Sequence, residues 1–166
     1  MLEVEPMQRH STHKPTQNHY RRLFVMIVLS FISMYVLMYG MVNTFANVLT
    51  LDPACAIAHW GLAFAQRPNP LVGPFDEGVL QRGLDNVEKG LALAPKTERE
   101  RDWLLALREE YRDFRTVDQE TRSRNYARAM EALVSRYPDD VEATIFYALA
   151  LNEAWDHSDR TYAGVI

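Results

Sequence analysis

The chain has a single cysteine, Cys55, in 166 residues. It cannot close an internal disulfide, and it has no CxxC pair for structural zinc, haem attachment or thioredoxin-like exchange. A basic surplus is also missing: 18 Lys and Arg stand against 22 Asp and Glu, a formal net charge of −4. Binding a phosphate backbone requires a basic face, so this balance argues against nucleic acid as the main partner. The third absence is local. Residues 23–42 carry no charge, whereas residues 1–22 hold four basic and two acidic side chains and residues 43–166 hold fourteen and twenty.

The uncharged run, LFVMIVLSFISMYVLMYGMV, is interrupted only by Ser30, Ser33, Tyr35 and Tyr39. A helix of that length spans ~30 Å, the thickness of a bilayer's hydrocarbon core. The two serine hydroxyls can bond back to carbonyls of their own helix. A cleaved signal peptide has an apolar core of only ~7–15 residues followed by small residues. Met41-Val42-Asn43-Thr44-Phe45 offers no such cleavage site. The expectation is an uncleaved transmembrane helix over residues 23–42, preceded by a polar tail, residues 1–22. Arg9, Lys14, Arg21 and Arg22 precede the run, and no Lys or Arg follows it until Arg67. Positive flanks stay inside. The N-terminus is therefore expected in the cytoplasm and residues 43–166 across the cell (inner) membrane, in the periplasm of a bacterium with two membranes.

The body repeats itself. Leu51-Asp52-Pro53, Leu93-Ala94-Pro95 and Arg136-Tyr137-Pro138 place prolines 42 and 43 residues apart. Each is followed by a helical stretch carrying Trp60, Trp103 or Tyr147. Leu62, Leu105 or Leu149 lies two residues on, and then Ala63, Ala106 or Ala150. A fixed period with matched aromatic, leucine and small positions predicts stacked helical hairpins. Phe75 to Leu93 and Asp118 to Arg136 show helical apolar spacing, the first with Asp76 and Glu77 at its positive end. No period-2 pattern predicts a strand. Arg67 to Pro74, with three prolines and a glycine in eight residues, predicts a loop.

The segment DPACAIAHWGLA, Asp52 to Ala63, resembles the start of a tetratricopeptide repeat, with Gly83, Gly90 and Pro95 at the small and closing positions of its second helix. Phe45, Leu49, Leu51 and Pro53 resemble the tail of a preceding second helix. The resemblance covers residues 45–160 and implies an open array of antiparallel hairpins over residues 43–166; with the single N-terminal transmembrane helix that the uncharged run predicts, the expected fold is all-α. Its spacing exceeds the usual repeat of about 34 residues by eight or nine. It also implies a groove lined by the first helix of each hairpin, where Trp60, Phe64, Leu104 and Arg108 would meet a protein or peptide segment. Packing between hairpins is the competing account of each residue. Separately, HYRRLFVMIVLSFISMYVLMYGMV is similar to the first membrane helix of small bacterial membrane proteins of uncertain function, some of them suggested to handle copper.

Three sets of residues bear on chemistry. His10, His13 and His19 in the tail have spacings that could hold Cu²⁺ or Zn²⁺, and Met26, Met34, Met38 and Met41 add soft sulfurs. A solvated tail and an ordinary apolar stripe are the alternative. Cys55 and His59 share a helix face four residues apart, without a third orienting group, and a satisfied packing histidine is the stronger reading. Glu98 to Arg115 mixes charges of both signs, as a solvated helix face does.

Asp139 to Trp155 is apolar almost all round and expects a cover. SDRTYAG reads as the start of another hairpin, which favours an array truncated at the C-terminus; a second copy or a partner is the alternative cover. The expectation is a membrane-anchored, non-catalytic interaction module with no catalytic residues and no cofactor. The rivals are a metal-handling membrane protein and a fragment of a larger helical-repeat enzyme.

Overall fold

The computed structural model describes residues 17–67 and 75–155. Six α-helices account for most of them: α1 (Gln17–Leu51), α2 (Ala56–Ala65), α3 (Glu77–Ala92), α4 (Glu98–Tyr111), α5 (Gln119–Arg136) and α6 (Val141–Ala154). There is no strand among the described residues. The proline-rich segment 68–74 and the residues after Trp155, including SDRTYAG, lie outside them, as do His10 and His13.

The chain divides into two units, Met1–Val36 and Leu37–Ile166. The first holds the larger part of the uncharged run of α1, and Phe24, Met26, Leu29, Ile32 and Val36 are exposed along it. Among the described residues, no helix is long and apolar enough to cross a membrane.

The second unit is an array of helices with a repeat-like order. Consecutive helices α2 to α6 pack pairwise, and α2 also meets α4. Local chemistry sets where these helices begin. Asp76, Thr97, Asp118 and Asp140 each accept a hydrogen bond from the backbone N–H three residues on, at 2.9, 3.1, 2.8 and 3.1 Å. These caps satisfy amides that have no partner inside the helix. Lys96 N–H also donates to Glu100 Oε2 at 2.9 Å, a close variant of the capping box. Beyond the ends of α3 and α4, Ala94 (φ 53°) and Asp113 (φ 56°) take left-handed conformations that stop the helix. Pro95 then prevents α3 from resuming.

Glycines let the layers approach. A Cβ on Gly83 would fall closer than 3.0 Å to three ring atoms of Tyr111, and one on Gly90 would lie 2.8 Å from Leu104 Cδ2 and 3.0 Å from Ala56 O. Gly83 and Gly90 of α3 are thus seats for α4. Tyr111, fully buried, donates its hydroxyl to Ala63 O at 2.8 Å and ties α4 to α2. Leu104, Leu107, Val87, Tyr126 and Met130 complete the core between α3, α4 and α5.

Candidate functional site: the shared face of three helices

Counting from the prolines matched Trp60 and Trp103 with Tyr147. The packing instead brings Phe146 to the third place. Trp60, Trp103 and Phe146 meet with ring centroids 5.1–5.3 Å apart and near-perpendicular planes, and Phe64 stacks on Trp60 at 5.4 Å. Edge-to-face packing of this kind suits the aromatic quadrupole. The three residues stand 43 apart, and each comes from a different helix, α2, α4 or α6. The capping residues explain the shift. Thr97 and Asp140 are each followed six residues later by their aromatic, whereas Tyr147 lies one step round the helix, packed on the hydrophobic core.

The same interval produces a second row. Seven residues beyond each aromatic stand Arg67, Glu110 and Glu153. All three are buried as side chains, Arg67 and Glu110 completely. Arg67 Nη1 donates to both carboxylate oxygens of Glu153, at 2.8 and 3.0 Å, and its guanidinium lies 4.7 Å from the Phe64 centroid. Arg122 donates to the carbonyls of Glu110 (2.9 Å) and Val117 (2.5 Å), so its charge is held beside Glu110 by backbone rather than by a carboxylate. Among the described residues the side chain of Glu110 accepts only from Ser123 Oγ, at 3.4 Å. Glu110 Oε2, Arg67 Nε and Nη2, Tyr126 Oη, Gln66 Oε1 and Trp60 Nε1 have no hydrogen-bond partner.

Burial dominates the electrostatics. It pushes Glu110 up to about 8; the neighbouring Glu153 carboxylate pushes the same way, and Arg67, Arg122 and Ser123 only partly oppose it. Burial also raises Glu153, against the pull of Arg67. For Arg67, burial alone would weaken the charged form, but Tyr111, Glu153, Glu110 and Tyr126 more than offset it, and the pKa rises. The buried phenols Tyr111 and Tyr126 are driven above their ordinary range, first by desolvation.

Of the four residues expected in the groove, Trp60 and Phe64 lie half-buried in this aromatic row. Leu104 is fully buried against Gly90, and Arg108 turns to α3, where its Nε meets Glu88 Oε1 at 2.6 Å. His10 and His13 lie outside the described residues, as does the side chain of His19. No group of three or more His, Cys, Asp or Glu able to hold a metal occurs among the described residues. His59 Nδ1 pairs with Asn86 Oδ1 at 3.3 Å, joining α2 to α3 as a packing histidine does. The mixed-charge stretch forms the most central helix, α4. Its charges bind other helices: Arg99 to Asp140 (2.6 Å) and Glu142 (2.9 Å), and Asp102 to Arg136 (2.6 Å).

Arg67, Glu110, Arg122 and Glu153 were not singled out by sequence. The signal that could have found three of them is the 43-residue interval that they share with the aromatic row. No family model, curated protein or solved structure matches the chain.

Proposed function

We propose that the chain is a membrane-anchored, non-catalytic scaffold of tetratricopeptide-like build. It binds a protein or peptide segment on the side of the membrane away from its N-terminus. The observation that carries this reading is the outer surface of α6. Val141, Ile145 and Leu149 recur every four residues and are 71%, 54% and 40% exposed. A continuous apolar strip on a charged helical array is what partner helices and extended segments recognise. The half-buried rings of Trp60, Phe64 and Phe146 lie on the face that α6 shares with α2 and α4.

The anchor rests on the charge-free run within α1 and on its exposed Phe24, Met26, Leu29, Ile32 and Val36, which water would leave unfavourably solvated. Confinement to a surface raises the effective concentration of the module for membrane-proximal partners.

Two experiments test the parts separately. In a Cys55→Ser background, an impermeant thiol reagent applied to intact cells should label a cysteine placed at the exposed position Glu131. Protection until lysis would overturn the topology. A photoactivatable residue at Ile145 should give a discrete adduct in cells that the same residue at exposed Asp85 does not. Equal adducts at the two positions, or none at Ile145, would remove the binding surface.

A further inference from the structure

The buried row of charges makes a demand that the fold meets only in part. Arg67 lies near both carboxylates, Glu110 and Glu153, but its hydrogen bonds go to Glu153, and Arg122, beside Glu110, gives its own to backbone carbonyls. Glu110 is fully buried, its Oε2 has no donor, and its Oε1 has only a long contact with Ser123 Oγ. A carboxylate in this position, ionised, would be out of water with a single long hydrogen bond to its two oxygens.

We propose that Glu110 carries a proton at neutral pH and that losing it releases α6 from Arg67, so that the array opens at its C-terminal helix on alkalinisation. The groups facing Glu110 are Arg67 from the end of α2, its neighbour Tyr111 on α4, Arg122, Ser123 and Tyr126 from α5, and Glu153 from α6. From α3, Gly83 and Gly90 meet α4, while Glu88 is engaged by Arg108. Ionisation sends the proton to solvent and leaves a second negative charge beside Glu153. Hydration relieves it, and water enters where the packing is weakest.

That place is α6. Among the described elements α6 packs as a helix against α5, whereas α4 is held by α2, α3 and α5. The first half of α6 is also held by Phe146 on Trp60, Phe64 and Trp103 and by Arg99 on Asp140, whereas its C-terminal end is tied back by the two hydrogen bonds of Arg67 to Glu153. The ionised Glu110 offers Arg67 a competing acceptor, and Glu153 is the partner that can leave. The direction of the pH effect follows from the raised pKa of Glu110, about 8. Between the ordinary carboxylate range and that value the folded chain holds a proton that the unfolded chain has lost, so stability falls as pH rises through this interval.

The test uses the full chain in detergent micelles, with ¹³C-labelled glutamate carboxyls followed by NMR and amide hydrogen exchange measured at about pH 6 and about pH 9.5, corrected for intrinsic rates. The Glu110 signal, identified by its loss in Glu110→Gln, should titrate near pH 8. Over the same interval α6 amides should lose protection about tenfold more than α3 amides. In Glu110→Gln that extra loss should vanish. A Glu110 carboxyl titrating in the ordinary range, α6 protection that does not move, or an unchanged loss in Glu110→Gln would each overturn the proposal. Should Glu110→Gln not fold, Glu153→Gln serves instead: removing the competing charge should lower the Glu110 midpoint by a unit or more, and an unmoved midpoint refutes the coupling.

Discussion

Replacing Gly83 by alanine puts one methyl group where the ring of Tyr111 stands. In an exposed helix this change would help, because alanine favours helix over glycine by about 1 kcal/mol. Here the new Cβ would sit closer than 3.0 Å to ring carbons Cδ1, Cε1 and Cζ of a fully buried tyrosine. Relief requires α3 to back away or the ring to turn, and overpacking of this sort costs about 1–3 kcal/mol. Turning the ring also withdraws the hydroxyl from Ala63 O and leaves a buried carbonyl unsatisfied, a further cost of about 1–3 kcal/mol. The balance is a loss of about 3 kcal/mol, with α2 loosened as well as α4.

Urea unfolding followed by near-UV circular dichroism would read this as a midpoint lowered by more than about 1 M at the slopes usual for small domains. Gly78→Ala is the control: its Cβ would meet only the carboxylate tip of Asp76 (3.1 Å) and the guanidinium tip of Arg82 (3.2 Å), and its midpoint should not fall below the wild type. In a Tyr111→Leu background the penalty of Gly83→Ala should shrink markedly. A Gly83→Ala protein as stable as wild type, or more so, would refute the seat that α3 makes for α4.

Three further outcomes follow from the same packing. Arg67→Met strands the buried Glu153 carboxylate and should cost about 3–5 kcal/mol in thermal or urea unfolding, with most of it restored when Glu153→Leu is added. Ala94→Gly relaxes a left-handed residue and should stabilise by about 1 kcal/mol, seen as a raised melting temperature. Asp140→Ala removes a cap that Arg99 and Trp103 also bind, costing about 1–2 kcal/mol. Because Arg99 holds the Asp140 carboxyl below its ordinary range, the stability it adds is present above that range and fades as acid protonates it, so wild type and variant should converge in low-pH melts.

The helices of the body were legible because their periodicity and start signals agree. Phe75 to Leu93 became Glu77–Ala92, Asp118 to Arg136 became Gln119–Arg136, and Asp139 to Trp155 became Val141–Ala154. The rotation of each helix about its axis was less legible, because neighbours set it. Trp60 and Phe64 fell on the shared face, but Gly90 draws Leu104 inward and Glu88 draws Arg108 to α3. The polar row escaped notice for a related reason. A charged residue in a sequence reads as surface, and only the stacking of three helices shows that Arg67, Glu110 and Glu153 point at one another's surroundings.

Arg67 and Glu153 are 86 residues apart, two full intervals of 43. In a simple repeat stack each unit touches only the next, and the ends can fray one unit at a time. Here the first unit holds the third directly, through that ion pair and through the contact of Trp60 and Phe64 with Phe146. The middle hairpin is enclosed by a clasp. While the Arg67–Glu153 pair stands, melting either end breaks the same long-range contacts, so the hairpins should unfold together. Excising the middle hairpin, a harmless shortening in an ordinary array, would remove Glu110 and Trp103 from between the two ends that they separate.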